Sequence, residues 1–424
     1  MKVLIRRVIL VVVGLFIFMS ACIVHPPAHW TLATTALYIS AIIGYCGIVL
    51  LLVMYSLGTR AVHGLYSDSP HTVLAVHKWL GIYVPILIFI HPILVTIQYG
   101  ESLFYSVWPQ TSSVFEWYVT FGRIALWVLG GTWLISAFLR GKIAYRPWKY
   151  LHYGAYVIAP LALLHVVGNG SNFIQHVSTK IFFFSIVIGF IGFSLLRLRT
   201  LLNVDSTSYQ ILEQSMVAHA TYKLIVKTDG QALRVKPGQY IYLKTGILSE
   251  EHPFSVAYSD GQKLTFLYRR VGRFTTTLSK LPIGSKLSLS PAYGTFTQEA
   301  ETSTEPIIYI AGGIGCTPFL ERLISRQRPP SALIYCNRSP QTTAELPHLR
   351  TALGRRLIEL YSEHAPPGTE SGNFSSSILT QYFEAPSTYR YFVCGPAGFM
   401  EHVGSTLAAV GIPRSHISYE SFEF

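Results

Sequence analysis

The chain has 424 residues, of which half are hydrophobic and only 13% are charged, whereas soluble proteins usually carry about 25% charged residues. This composition excludes an ordinary soluble protein. The formal net charge of +12 does not indicate nucleic-acid binding, because the basic residues cluster at the ends of apolar runs.

Six apolar segments in the first half are each close to the ~20 residues that a membrane-spanning helix needs. Helices are predicted at about 5–24, 32–57, 74–97, 118–139, 150–168 and 178–199. The basic start of the first segment, Lys2 to Arg7, is also typical of a signal peptide. Cleavage of this segment stays an alternative to an uncleaved first helix.

The basic residues of the connecting loops lie on one side only of the predicted helices. The loops at about 25–31, 98–117 and 169–177 contain no lysine or arginine. The opposite helix ends carry Lys2, Arg6, Arg7, Arg60, Lys78, Arg140, Lys142, Arg146, Lys149, Arg197 and Arg199. The positive-inside rule therefore predicts an integral membrane protein with six helices and both termini in the cytoplasm.

Two of the predicted helices contain two histidines each. The third carries His77 and His91, which are ~21 Å apart along an ideal helix and within ~40° of the same face. The fifth carries His152 and His165 and runs in the same direction. His77 is therefore predicted to match His152 in depth, and His91 to match His165. Two such pairs suit two stacked bis-histidine b-type haems; scattered interfacial histidines are the alternative.

Two features of the predicted membrane helices need a physical explanation, namely the spacing of the histidines in the fifth helix and the position of Arg123 in the fourth. The spacing between His152 and His165 leaves their rings ~140° apart in an ideal helix, so we expect a distortion at Pro160, where a proline interrupts the hydrogen-bond ladder. Arg123, near the outer end of the fourth helix, needs an anion. A haem propionate or a transient superoxide is one hypothesis, and a snorkelling interfacial arginine is the other.

The second half of the sequence changes to shorter elements. Six alternating strands between about 204 and 300 predict a small antiparallel barrel. Strand–helix alternation from about 301 onwards predicts a parallel nucleotide-binding sheet. The expected fold is multi-domain, with an all-α six-helix transmembrane bundle at 1–203, a β-barrel at 204–300 and an α/β domain at 301–424.

Four motifs stand at the ends of predicted strands. They are His252-Pro253-Phe254-Ser255, Gly272-Arg273-Phe274-Thr275, Ala311-Gly312-Gly313-Ile314-Gly315-Cys316-Thr317-Pro318 and Cys394-Gly395-Pro396. The second motif follows Arg269 at a strand-to-helix turn, where backbone N–H groups and a hydroxyl suit a pyrophosphate. The third is a glycine-rich turn that lets a nucleotide approach the backbone.

Taken together, these residues resemble the ferric reductase and NADPH oxidase superfamily over nearly the whole chain, most closely a prokaryotic NADPH oxidase. The resemblance implies that the two histidine pairs ligate haem, and that a ferredoxin-reductase-like module binds FAD and NADPH (or NADH). The implied FAD residues are His252, Pro253, Phe254 and Ser255 near the isoalloxazine ring, with Arg269, Gly272 and Thr275 at the phosphates. The implied nicotinamide-nucleotide residues are Gly312, Gly313, Gly315, Thr317, Pro318, Cys394, Gly395 and Pro396.

The resemblance also assigns roles to single residues. Phe424 is implied to stack on the flavin until the nicotinamide displaces it, and Arg338 to bind the 2′-phosphate of NADPH. The candidate catalytic residues are Phe424, Ser255, Cys394 and Arg123. One stretch departs from the family pattern, because Pro291-Ala292-Tyr293-Gly294 stands where Gly-Pro-Tyr/Phe-Gly is frequent.

The resemblance implies a superoxide-generating NADPH oxidase in a bacterial plasma membrane. Electrons would pass from cytosolic NAD(P)H through FAD, the inner haem at His77 and His152 and the outer haem at His91 and His165 to extracytoplasmic oxygen. A ferric reductase with the same electron path is the alternative. A haem subunit serving a protein partner, and a transporter or receptor, are further alternatives. The expected partners are small molecules and membrane lipid, with no nucleic acid and no obligatory protein partner.

Overall fold

A computed structural model describes residues 2–66, 70–169, 171–247, 249–325 and 331–421. The chain divides into two compact units, Met1–Leu198 and Arg199–Phe424. The described part of the first unit is helical, and the second unit contains a β-barrel and a parallel α/β sheet.

The helices of the first unit follow the predicted segments closely. They are α1 (Lys2–Cys22), α2 (Leu32–Leu57), α3 (Pro70–Tyr99), α4 (Val114–Trp133), α5 (Tyr145–His152), α6 (Ala155–Asn169) and α7 (Val177–Leu201). Short helices occur at His63–Tyr66, Leu103–Val107 and Ser171–Gln175, and a π-helical turn at Leu134–Phe138 continues α4.

Five helical stretches among the described residues are long and apolar enough to cross a membrane. They are Leu32–Leu57, Thr72–Tyr99, Val114–Phe138, Tyr145–Gly168 and Val177–Leu201. The apolar part of α1, Ile9–Cys22, is shorter. Their outward faces expose large apolar side chains such as Trp79 and Ile188, as expected for surfaces in contact with lipid. The chain is therefore an integral membrane protein, while the count of six spans and the orientation of the termini stay predictions.

The fifth predicted span is interrupted, but the position predicted for the distortion is wrong. Pro160 lies inside α6, whereas the helix breaks between α5 and α6 at Tyr153 and Gly154. There, Gly154, Tyr156 and Val157 each donate a backbone hydrogen bond three residues back, at 3.0 Å. Turns of this type have about 3.0 residues instead of 3.6, so they add rotation and reduce the mismatch between His152 and His165.

The barrel of the second unit consists of six antiparallel strands. They are β1 (Thr207–Ala218), β2 (Thr221–Lys227), β3 (Tyr240–Lys244), β4 (His252–Asp260), β5 (Lys263–Arg269) and β6 (Lys286–Leu289). They close in the order β1-β2-β5-β4-β3-β6 around buried side chains that include Tyr209, Leu224 and Phe266. Helices at Arg273–Leu278 and Gln298–Thr302 follow β5 and β6, respectively.

A six-stranded sheet completes the second unit. Its strands are β7 (Ile307–Gly312), β8 (Ser331–Asn337), β9 (Leu357–Tyr361), β10 (Glu370–Ser371), β11 (Arg390–Gly395) and β12 (Ile417–Ser421). Their order is β10-β9-β8-β7-β11-β12, and every pairing is parallel. The main helices beside the sheet are Leu320–Ser325, Leu346–Leu353, Ser376–Tyr382 and Ala397–Ala409. The predicted fold class is therefore confirmed; the exact domain boundaries stay predictions.

Candidate functional site

The membrane unit brings the four predicted histidines together as two pairs. The ring centroids of His77 and His152 are 6.3 Å apart with an interplanar angle of 76°. Those of His91 and His165 are also 6.3 Å apart, at 88°. Both pairs join α3 to the helices of the interrupted fifth span, as the depth argument predicts.

The ring spacing fits one metal ion held between each pair of histidines. Metal–imidazole bonds are ~2.0–2.1 Å long, and the ring centroid lies ~1.1 Å behind the bonding nitrogen, so two opposite imidazoles on one metal have centroids ~6.3 Å apart. Both pairs have this separation. The residues therefore fit two metal centres with two axial histidines each, which is the arrangement of a bis-histidine haem.

Hydrogen bonds hold all four imidazoles through the same ring nitrogen. Nδ1 donates to the carbonyl oxygens of Met54 in His77 (3.1 Å), Ser40 in His91 (2.9 Å) and Tyr118 in His165 (3.1 Å). In His152, Nδ1 shares a hydrogen bond of 3.0 Å with the hydroxyl of Ser136. A carbonyl only accepts, so Nδ1 carries the proton in those three rings. Nε2 keeps its lone pair for a metal, because the bond at one nitrogen determines the state of the other.

Local backbone geometry positions these partners. Ser136 lies within the π-helical turn that continues α4, and such turns frequently occur at functional sites. Gly122 of α4 lets His165 approach closely, since a Cβ atom there would lie 2.5 Å from Nδ1 of the ring. Neither feature has a signal in the apolar pattern from which the helices are predicted.

An aromatic stack extends from the inner histidine pair. The ring of Trp148 stacks on His152, with centroids 5.1 Å apart and planes 18° from parallel. The guanidinium carbon of Arg140 lies 4.5 Å from the centroid of the Trp148 ring. The stack restrains rotation of the His152 ring, in addition to the hydrogen bond between that ring and Ser136.

Arg123 is buried and has a carboxylate partner within the protein. Its Nη1 lies 2.8 Å from Oε2 of Glu116, and its Nε donates to the carbonyl oxygen of Ser106 at 3.3 Å. The hydroxyl of Tyr105 donates to the other oxygen of Glu116 at 3.2 Å. Glu116 therefore supplies the anion that the sequence hypothesis assigns to a propionate or a superoxide.

In the second unit, the His-Pro-Phe-Ser strand lies against the Gly272–Thr275 turn. The ring of Phe274 stacks on His252 with centroids 4.2 Å apart and lies 6.0 Å from Phe254. Ser255 is buried, whereas Arg269 is exposed at the end of β5. The hydroxyl of Thr275 accepts the backbone N–H of Gly272 at 3.1 Å. The Thr275 hydroxyl therefore stabilises the turn by a hydrogen bond within it.

The glycine-rich turn and the Cys394 turn meet at the carboxyl ends of the neighbouring strands β7 and β11. A Cβ atom on Gly315 would run into the Cys394 carbonyl, and one on Gly312 or Gly395 would contact the ring of Phe399 at 2.8 Å or 2.6 Å, respectively. These glycines are needed for close packing of the two turns. Thr317 and Pro318 of the same turn are buried.

Burial keeps the thiols of this edge protonated. It raises the pKa of Cys316 to about 12 and that of Cys394 well above its usual range. A neutral buried thiol packs against its neighbours and does not act as a nucleophile. The catalytic role of Cys394 stays a prediction, and a neutral thiol would fill it by shape and contact with the nucleotide.

Glu420 is a candidate site residue that the sequence motifs do not reveal. It pairs with Cys394 across β11 and β12, and its Oε1 lies 3.8 Å from where a Cβ atom on Gly294 would stand. Its Oε2 is buried and has no hydrogen-bond partner in the described part of the chain. Burial raises the pKa of this carboxyl to about 8, so a largely protonated acid lies beside the Cys394 turn at neutral pH.

The membrane helices match a known family. Residues 43–163, which include three of the paired histidines, His77, His91 and His152, match the family described as ferric reductase like transmembrane component. With the barrel and parallel sheet of the second unit, they form the combination of a ferric-reductase-like membrane domain and a ferredoxin-reductase-like module. This combination is consistent with the ferric reductase and NADPH oxidase superfamily.

The curated proteins to which the chain is similar include flavohemoproteins. The chain is 30% identical to the flavohemoprotein of Pseudomonas putida over 209 residues, which cover 46% of this chain and 53% of the relative. It is 26% identical to that of Bacillus cereus over 229 residues, covering 48% and 56%. The chain thus spans about half the length of these relatives.

A solved flavohemoglobin from Malassezia yamatoensis, with bound FAD and heme, has a related fold. The TM-score is 0.50 at 19% sequence identity, and the match covers 93% of this chain and 99% of the flavohemoglobin. A likeness at this identity concerns the fold alone.

The structure describes one of the two residues to which the resemblance assigns a single role, Arg338, but not the other, Phe424. Phe424 lies outside the described residues. Arg338 follows β8, beside the glycine-rich turn of β7, and its side chain is 71% exposed. Its Nε lies 3.9 Å from a carboxylate oxygen of Glu363. Arg338 therefore lies at the edge of the sheet where the nucleotide is predicted to bind. Glu363 lies beside it and would compete with a phosphate for its guanidinium group.

Proposed function

We propose that the protein is a transmembrane NAD(P)H oxidase that passes electrons from cytoplasmic NAD(P)H, through FAD and two b-type haems, to oxygen outside the membrane. The observation that carries the proposal is the pair of 6.3 Å histidine spacings within a ferric-reductase-like membrane domain. When bound, flavin and haem supply the conversion of a two-electron donor into single-electron transfers.

The four histidines and their partners have a defined task in this proposal. His77 and His152 would hold the inner haem, and His91 and His165 the outer one. The Nδ1 hydrogen bonds orient the imidazole rings, so that each Nε2 could ligate a haem iron with little reorganisation of the site. The stack of Trp148 on His152 supports the inner ligand further.

The reductase module would bind the soluble cofactors. His252 to Ser255 and the Gly272–Thr275 turn, which pack through Phe274, are proposed to hold FAD. The Gly312–Pro318 turn and the Cys394–Pro396 turn are proposed to hold the nicotinamide nucleotide, because they meet at the carboxyl edge of a parallel sheet. The names of the flavohemoprotein relatives support a flavin in this module.

Oxygen is the proposed acceptor because it needs no charged docking site. Among the residues that the structure describes, no group of three or more His, Cys, Asp or Glu side chains is placed to hold a metal ion. Ferric iron would favour such a group of oxygen-rich ligands. The buried cation Arg123 lies on the outer part of α4, and Glu116 balances its charge, so it is proposed as a positioning residue for the outer site.

Ferric reduction is the second candidate, since the matching family carries that name. The two functions separate in one experiment with the purified protein and NADPH. Superoxide dismutase-sensitive reduction of a dye, unchanged by an iron chelator, supports the oxidase. Iron reduction under anaerobic conditions without superoxide under air would replace it with the reductase. The His91→Ala variant should abolish either activity.

A further inference from the structure

A buried carboxylate lies where the barrel of the second unit meets the α/β part that contains the parallel sheet. Glu345 directly precedes the helix Leu346–Leu353 of the α/β part, and its side chain is only 4% exposed. Its Oε1 lies 3.3 Å from Nζ of Lys223 on β2, and its Oε2 accepts a hydrogen bond from the hydroxyl of Tyr258 on β4 at 3.3 Å. Nδ1 of His348 lies 2.7 Å from the same oxygen. One carboxylate therefore joins two strands of the barrel to a helix of the α/β part.

The backbone of Glu345 has a conformation that the surrounding contacts must hold. Its φ is +57°, in the left-handed region that residues other than glycine rarely adopt. Such a conformation persists only where the neighbouring structure determines it. Here the carbonyl oxygen of Glu345 accepts the N–H of Leu349 at 3.1 Å, while the carboxylate contacts the barrel. The residue therefore begins the helix and binds the barrel at the same position.

A short chain of hydrogen bonds connects this position to the glycine-rich turn. The hydroxyl of Tyr335, on β8, donates to the carbonyl oxygen of Ala344 at 3.3 Å and lies 3.1 Å from Sγ of Cys316. Because the hydroxyl proton is used at Ala344, the thiol of Cys316 donates to the hydroxyl oxygen. Cys316 belongs to the Gly312–Pro318 turn, which is proposed to hold the nicotinamide nucleotide. Glu345 is thus one peptide bond away from a residue that is connected to this turn.

On the barrel side, the partner of Glu345 belongs to the strand that contains the proposed flavin motif. Tyr258 lies in β4 (His252–Asp260), three residues after Ser255. Its neighbour Ala257 is fully buried in the same apolar core as Tyr309 and Phe319 of the α/β part. The carboxylate and this apolar contact together fix the strand against the α/β part.

We propose that Glu345 is a positioning residue that fixes the distance and angle between the flavin-binding strand and the nicotinamide-binding turn. The inference rests on the proposed function, in which a hydride, with two electrons and one proton, leaves the nicotinamide and reduces the flavin. The rate of such a transfer depends steeply on the separation of the two reacting rings. Glu345 acts on this separation through Lys223 and Tyr258.

The test compares two substitutions that remove a similar carboxylate. Glu345→Gln keeps the size of the side chain and removes its charge. Glu359→Gln is the matched control, because Glu359 accepts hydrogen bonds from Arg350 at 2.6 Å and from Tyr361 at 2.8 Å. It therefore also loses contacts with a cation and a tyrosine, but all of these residues belong to the α/β part.

The first measurement is the rate at which NADPH reduces the flavin of the purified full-length protein, loaded with FAD and mixed without oxygen in a stopped-flow instrument. Glu345→Gln should slow this step by about tenfold to a hundredfold, since a displacement of ~1 Å can cost a hundredfold. The charge-transfer absorbance between nicotinamide and flavin should weaken, while the dissociation constant for NADP⁺ stays unchanged. Glu359→Gln should keep the rate and the absorbance of the unsubstituted protein. An unchanged rate in Glu345→Gln, or an equal fall in the control, would overturn the proposal.

Hydrogen exchange without nucleotide measures the contact between the two parts independently of the reaction. The backbone N–H of His219, in the barrel, donates to the carbonyl oxygen of Gln341 in the α/β part at 2.8 Å. Its exchange should be about tenfold faster in Glu345→Gln, because the local opening becomes easier, and unchanged in Glu359→Gln. Unchanged exchange at His219 in Glu345→Gln would overturn the proposal. A flavin that NADPH leaves oxidised in the unsubstituted protein would instead contradict the proposed function, and the exchange at His219 would still decide whether Glu345 holds the two parts together.

Discussion

Replacing Gly122 with alanine is expected to displace the outer ligand His165. The new Cβ atom would lie 2.5, 2.7 and 2.9 Å from Nδ1, Cγ and Cε1 of the ring. Carbon contacts settle at about 3.5–4.0 Å, so the ring must move by roughly 1 Å. Functional groups need to be held within about 0.5 Å. The shift also disturbs the 3.1 Å hydrogen bond from Nδ1 to the Tyr118 carbonyl.

The measurement is the amount of haem per protein, determined as the pyridine complex, together with the visible spectrum. Gly122→Ala should fall from two haems to about one, with the inner site at His77 and His152 retained. Gly131→Ala is the matched control, because Gly131 lies in the same helix and a Cβ atom there has no neighbour within 4 Å. Both changes gain the same helix propensity, about 0.5–1 kcal/mol. Two haems with an unchanged spectrum in Gly122→Ala would refute the reasoning.

Three further changes test other parts of the molecule. Ser136→Ala removes the hydroxyl at the inner ligand and should weaken haem binding there about 10–100-fold, measured by haem transfer to an apo-globin; Ser40→Ala should have a smaller effect because its carbonyl still accepts. Gly315→Ala places a Cβ atom against the Cys394 turn and should slow NADPH oxidation, whereas Gly398→Ala, which has open space, should not; equal rates would contradict the packing argument. Because burial raises the folded-state pKa of Glu420 from 4.5 to about 8, the folded state keeps a proton that the unfolded state releases, and stability falls between about pH 4.5 and 8. Glu420→Gln should lose less melting temperature from pH 5 to pH 8 than the unsubstituted protein, and parallel pH profiles would count against the buried acid.

The sequence predicts the elements of the molecule better than their irregularities. Apolar runs and strand alternation depend on local residues, and the helices and barrel follow them. The pairing of His77 with His152 follows from helix direction and depth alone. The break at Gly154 and the π-helical turn around Ser136 cannot be predicted in this way, because the apolar pattern does not describe how helices pack against each other.

Most partners of the site residues are also beyond the sequence pattern, and Glu116 is an exception. Glu116 lies seven positions before Arg123, two turns away on the same helix face, so the helix period is a signal from which this neighbour could have been predicted. Met54 and Tyr118 act through their carbonyl oxygens, so their side-chain identities carry no signal. Glu420 reaches the Cys394 turn through a parallel strand pairing between distant segments.

Anaerobic addition of NADPH to the purified protein, followed by haem absorbance, tests the central proposal most directly. Two b-type haems per chain should become reduced through the bound FAD, and admission of oxygen should reoxidise them. The His77→Ala and His91→Ala variants should each lack one haem. Protein that is folded by its melting curve but holds no haem, or haem that NADPH and FAD leave oxidised, would contradict the proposed electron path.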